Sequence, residues 1–172
     1  MMSGLAFGGG RGGSQPIATY DLSVDTLGTG NEIDLDVTGC GQVHLSLING
    51  AISSAESVIC YFSANGGSSF RSTSGDYKIT YFNTIVRSAE ADATEIFVAG
   101  GASGTSQFIS ETTIRGLNQA GHAVTSVGML GSNADTYQMH HRATNLEAVD
   151  TLRITTSDGG DMTSGMLVIY AS

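Results

Sequence analysis

Tryptophan is missing from this 172-residue chain, cysteines number two and bases seven, and charged residues make up 13% of the sequence, roughly half the usual share. Each shortage removes a class of protein. The seven bases (Arg11, Arg71, Lys78, Arg87, Arg115, Arg142 and Arg153) are scattered singly against 16 acids, for a formal net charge of -9. No basic stripe is available to neutralise phosphates, so neither nucleic acid nor an anionic membrane surface is expected as a partner. Two cysteines make no disulfide framework, so Cys40 and Cys60 are read as reduced, with Cys60 in "SVICYF" as a small core residue. No apolar run reaches the eighteen or so residues of a membrane span, and "MMSGLAFGGGRGG" has no continuous apolar segment of the signal-peptide kind. The expectation is a soluble product made in a cytoplasm. Without Trp the chain also lacks the usual stacking platform of sugar-cleaving sites.

What the chain does have is 24 glycines, abundant Ser and Thr, and a period of two. In "NEIDLDV" Ile33, Leu35 and Val37 fall on one face and Glu32, Asp34 and Asp36 on the other, the pattern of a half-buried strand. "QVHLSLI" follows with Val43, Leu45 and Leu47 on one side. "TYDLSV", "SVICYFS", "DYKITYF", "TEIFVAG", "SQFISETTI", "HAVTSVGML", "DTYQMHH", "DTLRITT" and "SGMLVIY" continue the series, about eleven strands separated mostly by Gly, Ser or Asn clusters. That spacing predicts an all-β fold, an antiparallel β-sandwich or barrel spanning 17–172. Segments 49–57 and 86–94 are each expected to hold a turn of helix at most.

Residues 1–16 stand apart. Six of these sixteen are Gly, which makes ordering costly in entropy, while Leu5 and Phe7 are placed like anchors. They are read, with Arg11, as the contact residues of an extended N-terminal arm that orders on a partner. Fifteen extended residues reach about 50 Å, far enough to cross onto a neighbouring subunit.

The stretch "YFSANGGSSFRSTSGDYKITYF" places a polar, Gly-rich middle between two strands. Asn65, Gly66 and Gly67 supply the positive φ of a hairpin from "ICYFS" to the next strand, and Ser74, Gly75 and Asp76 supply a second turn. No Gly-Lys-Ser/Thr and no helix follows, so the loop is not a phosphate cradle. "SANGGSSF" resembles the Asp box of sialidase propellers, with Asn in place of Asp and Phe in place of Trp. That resemblance implies a braced hairpin, hence architecture alone.

No other pattern assembles a site. His140 and His141 are neighbours on a strand and project to opposite faces, while His44 and His122 lie far off, so zinc-ligand spacing is absent. The stripe Glu32, Asp34 and Asp36 and the pair Asp158 and Asp161 offer hard oxygens for calcium, but neither segment has the alternating loop of a calcium site; a solvated face and an ordinary turn are expected. There is no G-x-S-x-G elbow, and Cys40 in "TGCGQ" has no flanking motif. No catalytic, metal or cofactor residues are assigned.

"VHLSLINGAISSAESVICYFSANGGSSFRSTSGDYKITYF" (43–82), with "FS-x-NGGSSF-x-S-x-SGDY", and the closing "VDTLRITTSDGGDMTSGMLVIYAS" together resemble the small jelly-roll modules of tailed-phage structural proteins, found in tail fibres and capsid-attached spikes. The resemblance covers about half the chain and does not extend through "ETTIRGLNQAGHAV". It implies a closing hairpin at the C-terminus and a non-enzymatic virion component on the particle exterior. The form expected first is a capsid decoration or cement protein fastened through its arm; a tail or baseplate fibre stands second. Other virion proteins are then the partners, with a homo-oligomer (a trimer among the forms expected) and a host surface glycan as further ones. A calcium-assisted carbohydrate-binding module is the competing class.

Overall fold

The structure is a computed structural model, and it describes residues 15–25, 27–28, 31–53, 57–82, 90–100, 108–121, 124–132, 136–143, 147–157 and 160–172. Twelve strands lie among them: β1 (Ala18–Asp21), β2 (Ile33–Asp36), β3 (Gln42–Ile52), β4 (Ser57–Ser63), β5 (Tyr77–Phe82), β6 (Ala91–Ala93), β7 (Ile96–Gly100), β8 (Phe108–Arg115), β9 (Val124–Ser132), β10 (Thr136–Ala143), β11 (Thr151–Thr156) and β12 (Met162–Ala171). In β2 and β8 the alternation that predicts the strand is the alternation of its burial. In β2, Ile33 and Leu35 face in while Asp34 and Asp36 face out. In β8, Phe108, Ser110, Thr112 and Ile114 face in and Ile109, Glu111 and Arg115 face out.

The strands form an eight-stranded sheet, in the order β1-β12-β3-β8-β9-β10-β5-β6, and a four-stranded sheet, β2-β11-β4-β7. Four antiparallel pairings are nested one inside another: β1 with β12, β2 with β11, β3 with β8, and β4 with β7. Nested pairs of this kind are a long hairpin rolled on itself, and the joints β12–β3 and β11–β4 close the roll. This is a jelly roll, the double-sheet solution to the edge problem of antiparallel sheets. The pairs β5–β6 and β9–β10 are additions that extend the larger sheet beyond β8. One core fills the space between the sheets, with Val43, Leu45, Leu47, Ile114, Leu167 and Ile169 from the larger and Ile33, Cys60, Phe62, Leu152 and Ile154 from the smaller.

Three sequence expectations are corrected. The turn of helix expected in 49–57 is strand as far as Ile52, because Ala51 and Ile52 find backbone partners in Ser164 and Met162. In 86–94, residues 91–93 are β6, paired with Tyr77, Lys78 and Ile79 and held by a Lys78–Asp92 ion pair. Neither apparent hairpin is one: β4 and β5 lie in different sheets, as do β11 and β12. Both sides of β4 are already occupied by β11 and β7, so the segment 64–76 crosses the sandwich instead of doubling back.

The exposed edge of β7 is closed by side chains of the larger sheet. A register shift between Val58 and Ile59 leaves Val98 without a ladder partner, and its carbonyl accepts from the hydroxyls of Ser110 and Thr112 on β8. The Phe97 N–H donates to His141 Nε2 of β10 at 3.1 Å, with the two rings stacked 6.1 Å apart. Bulges of this kind and covered edges keep a short strand from recruiting another chain.

Candidate functional site

Two surface features are candidates. The first is the 64–76 segment. Gly66, Gly67 and Gly75 take positive φ, as their positions in the sequence predict. Asn65, Ser69 and Asp76 are spent on the loop itself. Asn65 Oδ1 accepts from Ser63 Oγ (2.8 Å) and from the Ser69 N–H (3.0 Å), and its Nδ2 donates to Ser69 Oγ. Ser63 Oγ in turn accepts from the backbone N–H groups of Asn65 and Gly67. The Gly66 N–H donates to Asp150 Oδ2 at 2.8 Å, which ties the loop to the chain entering β11.

Further along, Asp76 receives Arg71 and the Thr73 N–H on its two oxygens. Phe62 lies past Cys60, the last β4 residue that β7 pairs, and its backbone is taken over by the loop. The Arg71 N–H donates to the Phe62 carbonyl at 2.9 Å, and the Phe62 N–H donates to Tyr77 Oη at 3.0 Å. The Tyr77 hydroxyl then donates to the Arg71 carbonyl. Burial pushes the Tyr77 phenol above its ordinary pKa, so it stays a hydrogen-bond donor. A shallow hollow of about 350 Å³ remains beside the loop, between Asn65, Ser69, Phe70, Arg71 and Glu147. A loop built to hold a ligand keeps donors and acceptors unspent; this one spends most of its own on turning the chain, with Arg71 Nε left as a buried donor without a partner.

The second feature lies on the outward face of the larger sheet, a basin of about 500 Å³ walled by Gln42, His44, Ser46, Glu111 and Tyr170. His44 Nε2 meets Glu111 Oε2 at 2.7 Å. Ser46 Oγ donates to Glu111 Oε1 at 2.6 Å, and His44 Nδ1 lies 2.9 Å from Thr113 Oγ1. Hydroxyl, imidazole and carboxylate stand here in the order of a proton relay. The backbone of β3 is committed on both sides to the ladders with β8 and β12, which leaves no N–H pair to receive an oxyanion. The arrangement is a hydrogen-bonded brace across neighbouring strands.

The acidic stripe projects outward as expected, but its central member is engaged. Arg153 Nε and Nη2 donate to the two oxygens of Asp34 at 2.8 and 2.7 Å, and the guanidinium lies 4.1 Å over the Phe70 ring. Asp36 accepts from the Thr38 N–H, which holds its carboxyl below the usual range. Among the described residues no three or more His, Cys, Asp or Glu gather as a metal site. His140 and His141 do face opposite ways: His141 is buried, and desolvation with the neighbouring His140 lowers its pKa to about 4. Cys40 and Cys60 are free thiols; Cys60 is in the core, and burial raises its pKa. Leu5, Phe7 and Arg11 of the arm, with His122 and Asp158, lie outside the described residues.

Sequence reasoning missed the outward apolar residues of the larger sheet. Ile48, Ile109 and Met166 are 40%, 52% and 47% exposed. The signal was present: each adjoins an inward residue (Leu47, Phe108, Leu167), and in a half-buried strand one member of an apolar doublet must face out. No family model matches the chain, and no curated protein is significantly similar to it.

Proposed function

We propose that the chain is a non-enzymatic structural component of a tailed-phage virion, an exterior jelly-roll module of the capsid decoration or cement kind, fastened by residues 1–16. The observation that carries this reading is how the body spends its polar groups. In the 64–76 segment, on the Asp34–Arg153 pair and along the β7 edge, side chains brace the sandwich, as suits a rigid part that must last without a cofactor. The jelly-roll body, shared with the phage modules that 43–82 and 134–171 resemble, supports the same reading. Leu5, Phe7 and Arg11 are then the contacts made with the shell, and the sandwich faces solvent.

The test is a chain lacking residues 1–13. It is expected to melt as the full chain does and to leave assembled shells unoccupied when imaged by electron microscopy. Full occupancy by the shortened chain overturns arm fastening. Particles that keep a stable shell without the protein but no longer adsorb to cells overturn the decoration role in favour of a tail or baseplate fibre. With Asp34 held by Arg153, added calcium is expected to leave the melting temperature unchanged; a marked rise favours the carbohydrate-binding reading.

A further inference from the structure

Of the five large hydrophobics exposed among the described residues (Ile17, Val24, Ile48, Ile109 and Met166), all but Val24 belong to one surface. Met166 pairs directly with Ile48, and Ile109 follows Phe108, whose partner on β3 is Gly50. Ile17 donates its N–H to the Ile169 carbonyl at the start of the β1–β12 ladder. The same face carries Val168 and Tyr170, and the His44, Ser46 and Glu111 brace lies between them and β8.

We infer that this outward face of β1, β12, β3 and β8 is where a second copy of the chain docks. Charge is the first reason. Two molecules of net charge -9 repel, and the outward face of the smaller sheet brings Glu32, Asp34 and Asp36 against only Arg153. The larger sheet offers two acids, Asp21 and Glu111, and one base, Arg115, on these four strands. Glu111 is already paired with His44 and Ser46, and Arg115 is bonded to Gln42. Like copies approach on it at lower electrostatic cost than across the smaller sheet, and a strongly charged foreign partner finds little on it to pair with.

Shape is the second reason. The apolar ridge of Ile48, Ile109 and Met166 and the basin at His44 and Tyr170 lie about 13 Å apart along β3, four residues at ~3.3 Å each. A rotation that relates two copies can set the ridge of one into the basin of the other, which a self-complementary patch requires. Four strands at ~4.8 Å and about eight residues at ~3.3 Å make a face about 19 by 26 Å. That is about 500 Å² in projection, and side-chain relief brings it toward the ~800 Å² each partner gives to a standard interface. The inference goes beyond placement on a virion, since it holds whether or not the arm fastens to a shell.

The test is the mass of the full chain in solution by sedimentation. Wild type is expected at a multiple of 17.7 kDa, Ile109→Lys and Ile48→Glu at the single-chain mass with unchanged far-UV circular dichroism, and Val24→Lys at the wild-type multiple. A wild type that stays at single-chain mass at about 100 μM, above the Kd of a micromolar dimer, overturns the inference, as does a folded Ile109→Lys that keeps the multiple. Should the variants not fold, peroxide oxidation of Met166 in wild type decides. Its rate, read by peptide mass spectrometry, is expected to fall at least fivefold (about this on mass-action grounds) between dilute and concentrated protein. Equal rates overturn the inference.

Discussion

The two outward faces of the sandwich differ in how much of their chemistry the chain uses on itself. On the smaller sheet, Arg153 is spent on Asp34 and Phe70, Asp36 on Thr38, and the end of β4 on Arg71 and Tyr77. On the central strands of the larger sheet the polar groups are likewise paired, but Ile48, Ile109 and Met166 stay bare beside them. Four strands make a narrow sheet, and its stability depends on what reaches across to it: the 64–76 loop at one end and the β8 and β10 side chains at the β7 edge. The outward face of the wider sheet is less drawn into such bracing and carries exposed Ile48, Ile109 and Met166. Polarity alone is a poor guide to a working surface when the polar groups are already partnered.

The contrast breaks most visibly at Tyr77. Its hydroxyl is the one group that satisfies the Phe62 N–H and also grips the Arg71 carbonyl, while its ring meets Phe62 edge-on at 5.5 Å. Tyr77→Phe keeps the ring and orphans a buried donor, an expected loss of about 2 kcal/mol by urea denaturation. The loop should loosen with it, seen as faster hydrogen exchange at Arg71. A loss below about 0.5 kcal/mol, within the range of ordinary surface substitutions, means the loop is not what completes the smaller sheet.

His141 is the next lever, because it closes the β7 edge only when neutral. Its Nε2 accepts from the Phe97 N–H, which puts the proton on Nδ1, a buried atom without a partner. Burial and then the nearby His140 lower its pKa from 6.5 to about 4. The unfolded chain therefore takes up a proton that the folded chain refuses. The stability from this residue is whole above pH 6.5, falls as pH drops from 6.5 to 4, and is constant below that. The full swing is roughly 3 kcal/mol. His141→Gln, which keeps an acceptor and does not titrate, is expected to flatten stability against pH across that window. A wild-type slope that survives the substitution assigns the effect to carboxylates instead.

The strand set was legible because half-buried strands write their burial as alternation, as in "IDLD" and "FISETTIR". The sheet to which each strand belongs was not. Nothing local distinguishes Ser63 leading into a hairpin from Ser63 leading across the sandwich; the choice follows from β11 and β7 taking both flanks of β4, a matter of partners about 100 and 40 residues distant in the chain. β6 escaped notice because three residues, two exposed and one half-buried, carry no period. The acidic stripe was read correctly for direction and incompletely for partner, since Arg153 comes to Asp34 from β11. The bare isoleucines were readable in the doublets Leu47-Ile48 and Phe108-Ile109, had each doublet been taken as one residue in and one out.

The smallest expected effect sharpens the comparison at Arg153. The guanidinium meets Asp34 through two parallel bonds and covers Phe70, yet its side chain and that of Asp34 are 32% and 44% exposed. Water competes for both charges, so Arg153→Ala is expected to cost at most about 1 kcal/mol, less at 0.5 M salt than at 0.05 M. A cation over a ring is far less sensitive to salt than an exposed ion pair. The part of the loss that persists at high salt therefore measures the contact with Phe70, and the part that vanishes measures Asp34. A loss above about 2 kcal/mol at either salt places the pair in the frame of the smaller sheet and not on its finish. Ile109→Lys, made beside it, is expected to leave single-chain stability within about 0.5 kcal/mol of wild type, because the Ile109 side chain is exposed on that side of the larger sheet.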